Sequence, residues 1–539
     1  MKKILSNFLL GICCSTTLSL TGCIDSVTST QTATEDQING SETSIEAMLW
    51  AMPASLNVVG VVDKDEHWDW GYGSIMHIRD VMTGDMPVVS SGYNWYSDWE
   101  QNLSQGESFI YPQFIWNFYW KSMLTCNKLL QILDEEKVTD KTHLGYIATA
   151  HAFRAFLYLD LAQMYEYLPT DGTSPITDAG NNVTGLTVPI VREGITEAAA
   201  RNNPRVPREE MAVFILEELE KAEAGITYLT ETSKALPHID VVYGLKARYY
   251  MWLNQYDKAQ EYARKAIDAS KLRPMTEEEC LSPTKGFNQI SCWMWGGQLV
   301  AEDATVKTGI LNWTSWMSNE TSFGYSSQAS YVMISADMYN NLSSTDFRKK
   351  MWKAPQGSAL DGQTEFLTSK TFGNFKNRLC TYASTKFRPG EGNADEITIG
   401  AVTAYPLMRV EEMYFIEAEA AAQQTPTAGK KLLEAFMQEY RDPQYTCTKV
   451  GDAIIEEIVF QKRVELWGEG LSFFDIKRLD LPVTRGYEGT NYSEAVRFNT
   501  KGRPAWMNIC IVQTEKNNNK ALIGFENPDP SNVYQPWKE

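Results

Sequence analysis

Apolar residues recur at helical spacing through the first half of the chain. Between residues 147 and 169 two apolar sets can be read: Leu157, Leu161, Met164 and Leu168, and then Ala148, Ala155, Tyr158, Ala162 and Tyr165. Residues three or four positions apart share one face of an α-helix. A helix that is apolar on two faces packs between other helices. The pattern therefore predicts a buried helix within a helical protein.

The segment from residue 240 to residue 270 predicts a helical hairpin with its turn near residues 254–257. Small side chains recur where two helices must approach closely: Ala247, Ala259, Ala263 and Ala266. The Tyr-Asp-x-Ala turn and the alanine spacing resemble a tetratricopeptide repeat. Similar helix pairs are predicted at about 122–168, 208–269 and 407–441, and their divergent sequences indicate irregular repeats. A plain helical bundle is the alternative.

Helical periodicity fades between about residues 275 and 400, where Gly, Ser, Asn, Trp and Tyr predominate. Irregular stretches of this length are usually functional or disordered, and aromatic richness argues against disorder. The predicted fold class is mainly α. Irregular tetratricopeptide-like hairpins form a superhelical scaffold, and a loop-rich insertion with short strands lies over it.

The N-terminus has the pattern of a processing signal. Two lysines precede an apolar run that is too short to span a membrane, and Leu20-Thr21-Gly22-Cys23 follows as a small-residue cleavage site. This ending resembles the bacterial lipobox, in which the cysteine is lipidated. We expect residues 1–22 to be a lipoprotein signal peptide, Cys23 to carry the lipid and residues 23–44 to form a polar tether. An ordinary secretory peptide is the alternative.

Composition excludes several function classes. A net charge of -19 argues against a nucleic-acid partner, because phosphate binding needs clustered Lys and Arg. No HExxH or CxxC metal motif occurs, and we predict no metal and no cofactor apart from the lipid, although a structural calcium ion stays open. The six cysteines beyond Cys23 allow up to three disulfides or none: Cys126, Cys280, Cys292, Cys380, Cys447 and Cys510.

Four stretches together resemble the SusD/RagB family of surface glycan-binding lipoproteins. They are "HWDWGYGSIMHIRDVMTGDM" at 67–86, "AHAFRAFLYLDLAQMYEYLP" at 150–169, "YPLMRVEEMYFIEAEAAA" at 405–422 and "IVFQKRVELWGEGLSFFDIKRLD" at 458–480. The last stretch is similar to the family's Glu-Leu-x-x-Glu-Gly-x-x-x-x-Asp-x-x-Arg motif. The lipobox adds to the resemblance.

The resemblance implies one SusD-like domain over residues 45–539. Its helical scaffold is expected at about 45–270 and 400–480, and its ligand-binding insertion at about 275–400. The implied function is non-catalytic binding of an extracellular oligosaccharide and its delivery to a SusC-like, TonB-dependent outer-membrane transporter. The protein is then anchored in the outer membrane by its lipid and faces the cell surface. A peptide-binding relative, a surface interaction scaffold and a tethered hydrolase are the alternatives.

Aromatic residues beside amides are the candidate binding groups, because sugar rings stack on aromatic faces while their hydroxyls need directional polar partners. The family's site combines a loop after the first helices with loops of the central insertion. Two segments match these places and Arg79 adds a bidentate donor, so the candidate ligand-binding residues are Arg79, Asn94, Trp95, Trp99, Asn102, Trp313, Trp316 and Tyr325.

Several of these aromatics compete with a core role, because the 16 tryptophans of the chain cannot all bind ligand. Burial stays open for Trp95, Trp99, Trp313 and Trp316. We interpret the cluster at residues 67–70 as structural. The charged residues of the last family-like stretch are also interpreted as structural pairs and not as a glycosidase acid and nucleophile: Arg463, Glu465, Glu469, Asp475 and Arg478.

Overall fold

Long α-helices form the scaffold of the structure, a computed structural model that describes residues 42–284 and 286–539. The predicted signal peptide, Cys23 and all but the last residues of the predicted tether lie outside the described residues. The α-helices in chain order are α1 (Glu42–Ala54), α2 (Tyr72–Val81), α3 (Ser97–Glu100), α4 (Ile110–Ile132), α5 (Lys141–Tyr165), α6 (Glu197–Ala200), α7 (Arg208–Gly225), α8 (Ile239–Trp252), α9 (Tyr256–Ser270), α10 (Glu277–Leu281), α11 (Ala304–Lys307), α12 (Trp313–Met317), α13 (Ala336–Asn341), α14 (Ile397–Gly400), α15 (Val410–Gln424), α16 (Pro426–Tyr440), α17 (Ala453–Glu465), α18 (Ser472–Arg478) and α19 (Gln513–Asn518).

Strands are short. β1 (Trp295–Gln298) pairs antiparallel with β4 (Ala404–Met408), and β2 (Thr368–Ser369) pairs antiparallel with β3 (Gly373–Asn374). The first pair ties the start of the loop-rich insertion to the residues just before α15. Single 3₁₀ turns occur at Ile226–Tyr228, Ile290–Cys292, Tyr325–Gln328, Phe347–Met351, Phe375–Asn377, Gly390–Gly392, Glu494–Val496, Ala505–Met507 and Lys520–Leu522.

The two strongest helix predictions are confirmed. The Asp140 carboxylate caps α5 by accepting the His143 amide at 3.0 Å, and α5 is buried over nearly its whole length. In the predicted hairpin at residues 240–270, α8 ends at Trp252 and α9 begins at Tyr256, with Asn254 in the left-handed conformation between them. The small side chains of α9 are buried as predicted: Ala259, Ala263 and Ala266.

Neighbouring helices stack in sequence to build the scaffold. α5 packs on α7, α8 packs on α9, and α9 packs on α15, which in turn packs on α16 and α17. One apolar cluster fills the space between α15, α16 and α17 and includes Phe415, Phe436 and Ile458. The mainly helical fold class is therefore confirmed. Residues Ala47–Glu539 form one compact unit.

Buried ion pairs join the loop-rich insertion to the C-terminal helices. Glu465 at the end of α17 accepts hydrogen bonds from Arg441 at 2.8 Å and from Arg348 of the insertion at 3.2 Å. Glu469 accepts from Lys386 at 2.7 Å and from Arg409 at 2.9 Å. Burial acts to raise the pKa of Glu465, but the surrounding arginines outweigh it and hold that pKa well below its usual range. These carboxylates are structural.

The remaining sequence expectations concern thiols, membranes and metals. All six cysteines beyond Cys23 are free thiols, and four of them are buried. Within residues 42–284 and 286–539 no helix is long and apolar enough to cross a membrane. In the same part of the chain no group of three or more His, Cys, Asp or Glu side chains is placed to hold a metal ion.

Candidate ligand-binding site

Four aromatic side chains from three separate segments form a continuous stack. The His67 and Trp95 rings stack with centroids 4.1 Å apart and planes inclined by 21°. Tyr325 meets His67 edge-on at 5.9 Å, and its hydroxyl hydrogen-bonds the His67 Nδ1. On its other side Tyr325 stacks on Trp316 with centroids 3.6 Å apart. We call these four residues the aromatic stack.

Local structure explains how the loop-rich insertion positions Trp316 and Tyr325. The Asn312 side chain caps α12 by accepting the Ser315 amide at 3.0 Å, which fixes the short helix that carries Trp316. The chain then turns back through Gly324, whose φ is +61°. A Cβ at Gly324 would lie 2.8 Å from the Cα of Ser315, so only glycine allows this close return. Tyr325 is thereby laid on Trp316.

The stack runs from the core to the surface. Trp316 and Tyr325 are buried, whereas His67 and Trp95 are half-buried. Tyr93, two residues before Trp95, is 51 % exposed. Within the stack, His67 and Trp95 are therefore the rings that reach the surface, and Trp316 and Tyr325 pack behind them.

Polar and acidic groups border the exposed end. Asn94 accepts the Tyr96 amide at 3.1 Å through Oδ1 and donates through Nδ2 to Glu100. Burial raises the pKa of Tyr325, and the negative charge of Asp65 adds to that shift. Asp98 acts in the same direction on Tyr111, after burial, through a hydrogen bond and its charge. The sequence next to His67 and Trp95 carries Asp63, Asp65, Glu66 and Asp98 against Lys64, and we call these charged residues the acidic rim.

Burial also shifts the pKa of a carboxyl just behind the rim. Desolvation raises the pKa of Glu100 to about 7, and the charge of Arg485 and the hydrogen bond from Asn94 only partly oppose it. Near neutral pH this group is divided between its two protonation states. Its neutral fraction lessens the negative charge directly under Asn94.

Comparison with known proteins shows which family the chain resembles. The model of the SusD family matches residues 317–538. The fold is similar to that of a SusD-like carbohydrate binding protein from Bacteroides vulgatus, with TM-score 0.68, 22% identity and coverage of 89% of this chain and 96% of that one. The C-terminal part of the chain thus matches the SusD family, and the fold is that of SusD-like proteins.

Two further solved structures support the assignment of fold. A SusD superfamily protein from Bacteroides thetaiotaomicron matches with TM-score 0.66 and 17% identity, over 90% of this chain and 99% of that one. The surface glycan-binding protein A of Bacteroides uniformis matches with TM-score 0.62 and 17% identity, over 90% and 98%. No curated protein is significantly similar to the chain. The predicted resemblance to the SusD family is confirmed.

The structure brings together only part of the candidate set. Asn94, Trp95, Trp316 and Tyr325 lie in or beside the aromatic stack. Trp99 is instead buried edge-on against Trp68 at 5.5 Å. Asn102 is buried and donates to the Pro530 carbonyl at 2.6 Å. Neither side chain is placed to reach a ligand at the surface.

Trp313 and Arg79 are also core residues of this chain. Trp313 is fully buried and stacks on Tyr405 at 5.3 Å. The Arg79 guanidinium has no exposed surface and donates to Asp160 at 2.8 Å and to Tyr72 at 2.9 Å. Both Nη groups of Arg79 therefore donate within the helical scaffold. Arg79 therefore joins α2 to α5 and offers nothing to a surface ligand.

His67 is the site residue that sequence reasoning missed. The cluster at residues 67–70 is interpreted above as structural, and this is correct for Trp68, Asp69 and Trp70, which are buried. His67 is half-buried and takes part in the stack. The charged residues at 63–66 just before it indicate a solvated segment, and this is the sequence signal that could have placed His67 near the surface.

Proposed function

We propose that this SusD-family chain is a non-catalytic glycan-binding protein and that the exposed end of the aromatic stack holds a sugar ring. The observation that carries the proposal is the half-buried Trp95 fixed against His67 beside the exposed Tyr93. Flat aromatic surface with nearby amide and carboxylate groups suits carbohydrate, since sugars combine apolar C–H faces with directional hydroxyls.

Solved structures with a similar fold support the same class of ligand. One solved neighbour is a carbohydrate binding protein and another is a surface glycan-binding protein. The acidic rim favours a neutral glycan, because Asp65 and Asp98 would face the negative charges of a sulfated or uronic acid polymer.

Binding without catalysis is proposed from the state of the carboxylates. A glycosidase needs two carboxyl groups about 5 to 10 Å apart in an open cleft. Glu465, Glu469 and Asp475 are all buried and engaged by arginine or lysine side chains. They are therefore not available to a substrate.

Delivery and anchoring complete the proposal. Lipidation at Cys23 would hold the protein on the outer membrane, facing the cell surface, and a SusC-like TonB-dependent transporter would receive the glycan. Replacement Cys23→Ala is expected to release the protein from the membrane fraction. Purification of the intact lipoprotein under mild detergent should bring a large outer-membrane barrel with it, and its absence would count against the delivery role.

The ligand class is tested by isothermal titration calorimetry of the protein without its first 23 residues. The titrants are a panel of soluble neutral polysaccharides, acidic polysaccharides and a peptide digest. Saturable binding to a neutral glycan is the expected result. Binding to peptides alone would move the protein to a peptide-capture role, and no binding to any titrant would refute the proposal.

A further inference from the structure

A small cavity lies where four elements of the scaffold meet, away from the aromatic stack. Its volume is about 30 Å³, and its walls include Gln163, Glu166, Arg208, Trp252, Lys477 and Arg478. These residues come from α5 and its C-terminal end, from α7, α8 and α18. A space of this size accepts one water molecule or one small ion and no sugar ring.

Cations outnumber anions around the cavity. Arg208, Lys477 and Arg478 line it, and Glu166 is the lining carboxylate. The Arg208 Nη1 lies 3.5 Å from Glu166 Oε1, beyond the length of a good hydrogen bond. Glu166 also accepts the Trp252 indole N–H at 3.0 Å. The bond from Trp252 reaches Oε2, whereas the buried Oε1 has no hydrogen-bond partner within the described residues.

Two of the cations keep donor capacity that protein groups do not use. Lys477 is buried, and among the described residues its ammonium donates one hydrogen bond, at 3.0 Å to the Met164 carbonyl, although an ammonium carries three protons. Arg478 donates through Nε and Nη2 to Asp475 and through Nη2 to Glu419. Its buried Nη1 has no partner within the described part of the chain.

A further positive charge, that of Arg205, acts on Lys477. Arg205 is buried, and each of its five hydrogen bonds runs to an uncharged oxygen, so no carboxylate neutralises it directly. Burial lowers the pKa of Arg205 to about 9 and lowers that of Lys477 well below its usual range. A buried cation without a counter-charge is costly, and an anion beside it removes much of that cost.

We propose that this cavity binds a small monovalent anion, with chloride as the physiological occupant, held by Lys477, Arg478 and Arg208. The ion supplies the missing acceptor for Arg478 Nη1 and adds negative charge beside Lys477, on which Glu166 already acts. It thereby fixes α18, which carries the end of the family-like motif, against α7 and α8. The site is separate from the glycan site and does not depend on the proposed function.

The location is tested by soaking crystals of the protein in bromide, which mimics chloride and scatters anomalously. The expected result is an anomalous peak in the cavity, within hydrogen-bonding distance of Lys477 Nζ and Arg478 Nη1. A water molecule there, with no anomalous signal, would overturn the proposal.

A solution experiment with a matched control tests the energetics. Thermal unfolding is followed in sodium chloride and in sodium gluconate at equal ionic strength, and chloride is expected to raise the Tm in a saturable way. Arg208→Gln removes one charged donor from a side chain that is 25% exposed, and should weaken the apparent chloride affinity about tenfold. Arg192→Gln, at an exposed pair with Glu217, should leave it unchanged. Equal chloride dependence in both variants would refute the site.

Discussion

The imidazole of His67 stacks on the indole of Trp95 with ring centroids 4.1 Å apart. Behind this pair the Tyr325 hydroxyl is hydrogen-bonded to His67, and the Tyr325 ring stacks on the buried Trp316. The half-buried Trp95 is therefore held in position by packed aromatic rings before a ligand binds. Such preorganisation reduces the entropy lost on binding. The aromatic stack also joins a loop near the N-terminus to the loop-rich insertion at one point of the surface.

The acidic rim predicts selectivity by charge. Replacement Asp65→Asn should tighten the binding of a uronic acid oligosaccharide by a few-fold, because one unit of like charge is removed from an exposed site. Binding of a neutral oligosaccharide of equal length should hardly change. Calorimetry of both ligands with both proteins gives the comparison, and tighter binding of acidic glycans by the unaltered protein would contradict an acidic rim at the site.

The buried pair His151 and Glu218 predicts a pH dependence of stability. The two side chains are 2.7 Å apart between Nδ1 and Oε2, and Arg154 also donates to Glu218 at 2.6 Å. Burial acts to lower the pKa of His151, but the carboxylates of Glu135 and Glu218 outweigh it and raise the pKa above 6.5. Protonated His151 therefore stabilises the fold fully below pH 6.5, and this contribution is lost as pH rises through the folded-state pKa.

The measurement is the free energy of unfolding by denaturant across that pH range. It should fall as pH rises above 6.5 in the unaltered protein, and the fall should be smaller in His151→Gln, which cannot be charged. An identical pH profile for the two proteins would show that His151 is not the titrating group.

Gly470 predicts a steric cost at the junction of α18 and α2. Its φ is +69°, and a Cβ would lie 2.7 Å from the Cα of Met76. Gly470→Ala should lower the free energy of unfolding by about 2 kcal/mol or more. Gly489→Ala is the matched control, because Gly489 has φ +79° with open space around it. Its expected cost is the backbone term alone, about 1 kcal/mol, and equal losses in both variants would rule out the close approach.

The helical scaffold was predictable because its signals are local. The helical spacing of apolar residues in α5 and of small residues in α9 can be read within a few turns of sequence. Both helices form as expected. The structural interpretation of the last family-like stretch also holds, since Glu465 and Glu469 are buried among arginine and lysine side chains.

The site was predictable only in part because burial of an aromatic ring is decided by distant residues. Trp95 and Trp99 stand four positions apart in the same aromatic loop, yet Trp99 is covered by Trp68 and Trp95 is not. Trp313 is covered by Tyr405, which lies far along the sequence. Asn312, directly before Trp313, is the cap of α12. The residues next to each of these side chains in the sequence do not reveal which distant residue covers it.

The central claim is that the exposed end of the aromatic stack binds the glycan, and calorimetry of Trp95→Ala tests it most directly. With the glycan found for the unaltered protein, the variant should bind at least about tenfold more weakly, through loss of stacking surface, and keep its Tm. Tyr228→Ala, at an exposed aromatic on the helical scaffold, is the control and should bind normally. Unchanged affinity in a folded Trp95→Ala protein would contradict the account.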